Sequence, residues 1–314
     1  MEVELARRPP RQESPRDWLV GGGEMGDLIR SMDWSRTALG PIESWPAALR
    51  TTVGLLLANR FPMLLWWGPE YVQIYNDAYR PIPGAKHPRS MGQPARECWM
   101  EIWHILQPLI DTPYHGGVPT WNDDILLVID RHGFMEETHF TIAYSPVPDA
   151  DAPGGIGGVL ATVHEITAQV VQARRVMALR DLGARSAGAK TAEEACAIAA
   201  EAFGRHAQDM PFALLYLVDS DARTARLAGV SPAGGAVEES FAPVVVPLDA
   251  WDDSAWPLAE AFATGLVQVV DDLDRRFSAV PPGPWPDPPQ RVPRSIRPLS
   301  PAVITGVHRH VCRR

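Results

Sequence analysis

Phe61-Pro-Met-Leu-Leu-Trp-Trp-Gly68, followed closely by Tyr71-Val-Gln-Ile-Tyr75-Asn-Asp77, decides how the rest of this chain is read. The first run is short, apolar and closed by Gly68-Pro69, which predicts a buried strand. The second alternates apolar and polar residues, so a tight hairpin joins the two. Asn76-Asp77 then predicts the start of a short helix, because these side chains can accept from free amide groups. Upstream, Asp27 to Met32 reads as a short helix. Ser44-Trp-Pro46 reads as a second helix start, with Leu49, Val53, Leu56 and Leu57 following at helical spacing. Downstream, Gly92-Gln-Pro-Ala-Arg96 leads into a helix from Arg96 to Asp111. Trp99, Ile102, Trp103, Leu106 and Ile110 form its apolar face, and Pro108 is expected to kink it or end it early. Trp121 to Ile129 and Glu136 to Ser145 read as strands flanking Arg131-His-Gly133, and Gly157 to Val163 as a further strand. Two strands, helices, then three strands, with no βαβ repetition, predict an α+β fold with an antiparallel sheet and helices on one side.

From Thr167 the pattern becomes helical. Ala168 to Leu182 carries Val170, Ala173 and Met177 on one stripe. Thr191-Ala-Glu-Glu194 is a capping box opening the helix Ala192 to Phe203. Phe212 to Val218 reads as a buried strand, and Thr224 to Gly229 as its hairpin partner across Asp219-Ser-Asp221. Val244 to Val246 and Leu266 to Val270 read as further strands around a helix at Ala255 to Ala263. A second α+β sheet therefore begins here.

The chain has 314 residues, enough for two domains. Hydrophobic residues make up 46% and charged residues 21%, which excludes gross disorder and collagen-like or mucin-like chains. The longest apolar runs fall far short of a membrane span, and the N-terminus lacks the apolar core of a secretion signal, so a cytoplasmic protein is expected. Cys98, Cys196 and Cys312 are too few and too scattered for a disulfide framework. The net charge is −9 and unevenly spread. Residues 289–314 hold six Arg and no acid; residues 1–288 hold the other 23 basic and all 38 acidic groups, a net of −15. An acidic body argues against nucleic acid as a partner. Arg far outnumbers Lys, and Pro and Ala abound, as in proteins from GC-rich bacterial genomes.

Phe61 to Gly68, Tyr75-Asn-Asp-Ala-Tyr79, Gly92-Gln-Pro-Ala-Arg-Glu97 with Trp103, Thr141-Ile-Ala-Tyr-Ser-Pro146 and Gly157 to Thr167 together resemble a PAS sensor domain. With Asp33-Trp-Ser35 and Leu39-Gly-Pro-Ile-Glu-Ser-Trp-Pro46, the N-terminal layout resembles the sensor portion of bacterial hybrid histidine kinases, and residues 189–288 resemble a GAF domain. The resemblance implies a five-stranded antiparallel PAS half-barrel over 26–167 after a disordered arm at 1–25. It implies next a signalling helix at 168–188, an incomplete GAF-like sheet domain at 189–288, and a basic tail at 289–314. That tail, RVPRSIRPLSPAVITGVHRHVCRR, lacks strand alternation and reads as out-of-frame or truncated, which would leave the second sheet with an exposed edge. Sensory input to two-component signalling is implied, with a histidine kinase and response regulator as partners, in a chain that carries no kinase lobe and is no enzyme.

Candidate chemistry is sparse. His164-Glu-Ile-Thr167 partly imitates a phosphoacceptor box, but it follows a strand; in the PAS reading Glu165 and Thr167 fasten the last strand to the outgoing helix. Gly154-Gly-Ile-Gly-Gly158 lacks the Lys-Ser/Thr of a phosphate loop and reads as a hairpin turn. Ala95 stands where a flavin-reactive Cys would, so no photoadduct is expected, and Cys98 reads as a small core residue. His308, His310 and Cys312 form no metal cluster with anything elsewhere, and no metal is assigned. The aromatic residues suggest core, or a ligand cavity between sheet and helix. The pocket candidates are Trp66, Tyr75, Asn76, Trp99, Trp103, Trp121 and Tyr144, with Asn76 alternatively a helix cap. A shift of the sheet would pass through Glu165 and Thr167 into a helix pairing in a homodimer through Val170, Ala173 and Met177. Three rivals stay open: an enzyme of unknown type, a non-functional fragment of a former kinase, and haem sensing through His139.

Overall fold

The computed structural model describes residues 18–284 apart from 20, 232–237, 250–255, 267, 271–272, 279 and 282, together with the strand backbones at 292–293, 298–299 and 302–306. The chain forms two compact units, Met1–Thr167 and Ala168–Arg314.

The first unit runs α1 (Gly23–Ser31), α2 (Ala47–Ala58), β1 (Met63–Trp67), β2 (Val72–Tyr75), α3 (Ala95–Cys98), α4 (Trp103–Gly116), β3 (Thr120–Asp130), β4 (Met135–Pro148) and β5 (Ile156–Glu165). Its sheet has the order β2-β1-β5-β4-β3 and every pair is antiparallel. This is the five-stranded PAS-type half-barrel that the sequence resemblance implied. β1 is an interior strand, apolar on both faces: Met63 to Trp67 are all buried. Period-two alternation then divides β4, with Phe140, Ile142 and Tyr144 on the inner face and Glu137, His139 and Thr141 on the other. Gly154 and Gly155 supply the positive φ of the β4–β5 turn. Gly158 sits where a Cβ would lie 2.4 Å from the Trp66 carbonyl oxygen, so β1 and β5 approach over a glycine. The Gly-rich stretch is thus a hairpin.

Order begins earlier than residue 26. Leu19 joins the core, and Arg30 Nη1 donates to the carbonyls of Leu19 (3.0 Å) and Gly21 (2.9 Å). The amides of Glu24 and Met25, free at the start of α1, donate to the Asp77 carboxylate at 3.2 and 2.7 Å. Asp77 therefore caps a helix over fifty residues away in sequence, and residues 77–83 form turns instead of the expected helix. Ser44 lies in a single 3-10 turn, and Pro46 takes the N-cap position of α2. The helix expected over Arg96–Asp111 breaks at Trp99, whose φ of −115° and ψ of 36° are not helical. It resumes as α4, which contains Pro108 and continues to Gly116, capped by Gly117.

The second unit contains α5 (Thr167–Ser186, its first residue still in the first unit), α6 (Ala192–Gly204), β6 (Ala213–Val218), β7 (Thr224–Ser231), β8 (Val245–Pro247), α7 (Leu258–Thr264), β9 (Val269–Val270), α8 (Leu273–Arg276), β10 (Val292–Pro293), β11 (Pro298–Leu299) and β12 (Ala302–Gly306). The capping box forms: Thr191 Oγ1 accepts from Glu194 N, and Glu194 Oε2 accepts from Lys190 N rather than from Thr191. Phe212, Phe241, Trp256 and Phe277 pack edge-on or tilted at centroid distances of 4.7–6.3 Å. The second sheet has the order β11-β12-β6-β7-β8. This corrects one expectation: the basic tail does supply strands, and β12 pairs along β6 from Ala302↔Leu217 to Gly306↔Ala213. The run Val303-Ile-Thr305 is β-branched throughout, and that propensity outweighs the missing alternation. The rest of 289–314, including His308, His310 and Cys312, lies outside the described residues, as does most of the arm at 1–25.

Among the described residues no helix is long and apolar enough to cross a membrane.

Candidate functional site

A cavity of about 30 Å³ lies within the first unit. Its sheet wall is Trp66, Leu127, Ile129, Phe140, Ile142, Tyr144 and Val163, one inward residue after another from β1, β3, β4 and β5. Tyr79, Ile82, Trp99, Ile102 and Leu106 close it from the turns and short helices. No charged side chain lines it. Trp66 and Tyr144 stack, with centroids 5.7 Å apart and planes 22° from parallel. Both are buried, and both Trp66 Nε1 and Tyr144 Oη lack a hydrogen-bond partner among the described residues. Each unmet polar atom costs roughly 1–3 kcal/mol in an interior. Two at one cavity therefore mark it as chemically incomplete. Burial pushes the Tyr144 phenol well above its ordinary range, so it stays a neutral hydroxyl. Trp99 is satisfied differently: its Nε1 donates to Gln73 Oε1 at 3.0 Å.

The other pocket candidates sit elsewhere. Trp121 is 62% exposed, with its Nε1 on Asp123. It pairs with Ala143, on the outer face, because cross-strand partners share a face. Trp103 is half-buried and its ring leans on Tyr71 at 6.1 Å. Tyr75 is buried, but its hydroxyl is taken by His87 Nδ1 and Ser90 Oγ, both at 2.8 Å, and burial pushes it up to about 12. Asn76 is a staple. Its Oδ1 accepts from Met63 N and Tyr79 N, and its Nδ2 donates to the carbonyls of Leu56, Asn59 and Phe61. His139 does not enter the cavity either. Its neighbour Phe140 faces in, so His139 faces out, with Nδ1 2.6 Å from Asp124 and Nε2 3.0 Å from Glu137. The haem reading through His139 therefore fails on strand alternation. Cys98 is buried, its thiol pushed up to about 11 mainly by burial. Among the described residues no cluster of His, Cys, Asp or Glu is placed to hold a metal ion.

A second feature lies at the open end of the same strands. Arg131 Nη1 and Nη2 donate to the two oxygens of Glu165, each at 3.0 Å, and Arg131 Nε donates to Glu136 Oε2 at 3.0 Å. Thr167 Oγ1 donates to Glu165 Oε1 at 3.0 Å and accepts from the His139 amide at 3.0 Å. The His139 carbonyl accepts from Ile166 N at 2.8 Å. Burial alone would lower the Arg131 value, but the bonds to Glu165 and Glu136 raise it, so the guanidinium is held charged. Glu165 and Thr167, singled out from sequence, thus meet in one clamp. Arg131 and Glu136 were not singled out, and His139 was singled out only as a haem candidate. The only hint was that an acid ending an interior strand requires a cation nearby.

The clamp and the cavity share strands. Ile129 lines the cavity two residues before Arg131, Val163 two residues before Glu165, and Phe140 follows His139. Phe140 is also the register partner of Glu165. Thr167 begins α5, a helix without a buried residue; Val170 is half-buried, Ala173 exposed and Met177 65% exposed.

No protein-family model and no curated protein matches the sequence. Solved structures that it resembles include a sensory box sensor histidine kinase from Vibrio cholerae (18% identity, 38% of this chain and 90% of that one, TM-score 0.25). Others are the PAS domain of Bordetella pertussis BvgS (15%, 41% and 96%, TM-score 0.26) and the chromophore-binding domain of Stigmatella aurantiaca phytochrome P1 (12%, 67% and 63%, TM-score 0.22). The fold rests on the sheet topology itself. By that topology, the first unit is the five-stranded antiparallel half-barrel that the PAS resemblance implied, and the second is an α+β unit.

Proposed function

We propose that this chain is a sensory input module of two-component type, working upstream of a histidine kinase and response regulator and performing no covalent chemistry itself. An occupant of the Trp66–Tyr144 cavity shifts the sheet between two states with different affinity for it. The change passes along β3, β4 and β5 to Arg131, Glu165 and Thr167, and from Thr167 into α5. That helix pairs with its twin in a homodimer through Val170, Ala173 and Met177. The observation that carries the reading is the shared strands: cavity-lining Ile129 and Val163 each stand two residues from a member of the clamp. Val163 and Glu165 lie two apart on β5 and share a face, and Arg131 directly follows the last residue of β3, so a displaced cavity wall acts on the salt bridge.

Light scattering of the full chain at micromolar concentration tests the output. Wild type is expected to run as a dimer, and Met177→Glu with Val170→Glu as a monomer with an unchanged far-UV spectrum. A monomeric wild type would refute the dimer relay.

A further inference from the structure

We propose that the cavity takes a small uncharged molecule with one aromatic ring and a hydrogen-bond acceptor, which accepts from Trp66 Nε1 and Tyr144 Oη. The proposal rests on the sensory reading above and names the ligand class for that site. The chemistry follows from the wall. A carboxylate, phosphate or ammonium group would enter without a counter-charge, because all lining side chains are apolar or aromatic apart from neutral phenols and indoles. The two partnerless polar atoms both offer a hydrogen, and neither is spoken for by protein among the described residues. An acceptor oxygen or nitrogen is the group they lack. The rest of the wall, including Trp99, Phe140 and Ile142, is apolar and suits a ring.

A water molecule is the competing occupant, since about 30 Å³ is water-sized. Water there would meet Trp66 Nε1 and Tyr144 Oη but leave the apolar wall uncovered. A ring-bearing acceptor uses the same two atoms and covers the wall as well. It requires the cavity to widen. The sheet wall is fixed by continuous ladders, whereas Tyr79 and Ile82 lie in turns and Ile102 in a single 3-10 turn. Those segments carry fewer regular hydrogen bonds and are the side that moves.

The test titrates full-length protein with acetophenone, ethylbenzene and benzoate, following the Trp66 indole N–H resonance assigned through Trp66→Phe. These probes share one ring and differ in acceptor and charge. Acetophenone is expected to bind about tenfold more tightly than ethylbenzene, about 1.4 kcal/mol, and to shift the indole resonance, while benzoate does not bind. Tyr144→Phe is expected to remove most of that preference. Equal binding of acetophenone and ethylbenzene, tighter binding of benzoate, or no binding by any ring with only an ordered water at Trp66, would each overturn the ligand class. Failure of the sensory reading looks different: acetophenone binds at Trp66 while amide exchange across residues 163–186 stays unchanged.

Discussion

Replacing Arg131 with Met should destabilise the first unit far more than neutralising its exposed partner. The side chain of Arg131 is 12% exposed and that of Glu136 2%, whereas Glu165 is 30% exposed. Removing the guanidinium leaves Glu136 as a buried carboxylate, and breaking a buried pair from one side costs about 3–5 kcal/mol. The more exposed bridge to Glu165 adds roughly 1 kcal/mol. His132 Nδ1, 2.5 Å from Glu136 Oε1, stays as a partner and offsets part of this. The net expectation is about 3 kcal/mol, the low end of the buried-pair range. In a unit of this size that lowers the melting temperature by about 6–12 °C. Glu165→Gln keeps an acceptor for Arg131 and leaves the Glu136 pair intact, so about 1 kcal/mol is expected. Urea unfolding followed by tryptophan emission measures both. An Arg131→Met chain within 1 kcal/mol of wild type, or a Glu165→Gln chain as damaged as Arg131→Met, would refute the assignment of Glu136 as the buried dependent.

Asn76→Ala removes the acceptor for two amides and the donor for three carbonyls, and is expected to cost about 2–4 kcal/mol in urea unfolding. Burial and the nearby Arg80 lower the pKa of His87 below its ordinary 6.5, so the unfolded chain binds the proton more readily. Stability from this residue is therefore complete above about pH 6.5 and is lost as pH falls through that window; His87→Gln should flatten the slope in melting temperature against pH. Cys98 and Cys196 are buried with raised thiol pKa values, so neither should react with iodoacetamide at pH 8 until urea unfolds the chain, as peptide mass spectrometry would read.

The strands were legible because their signals are local. Met63 to Trp67 is short, apolar and bounded by Pro and Gly, and β4 alternates from His139 to Ser145. The position of Glu165 and Thr167 at the exit of the last strand was legible through the PAS resemblance, and both take part in the contacts there. What failed was long-range. Nothing near Asp77 announces that it caps α1, and nothing in Asn76 announces carbonyl partners at Leu56, Asn59 and Phe61. The pocket candidates divided on face and register. Trp121 needed the pairing with Ala143 to place it outside, and His139 needed Phe140 to point inward. The strand at Ala302–Gly306 was hidden by its basic, Pro-rich surroundings, although Val303-Ile-Thr305 has strong strand propensity.

The claim on which the account turns is that the cavity and the start of α5 are mechanically one device. Amide hydrogen exchange of the full chain, with and without saturating acetophenone, measures this directly. The account predicts changed protection in cavity peptides and, together with it, across residues 163–186, the latter lost in Glu165→Gln. Changed protection around Trp66 and Tyr144 with none beyond Val163 would contradict it.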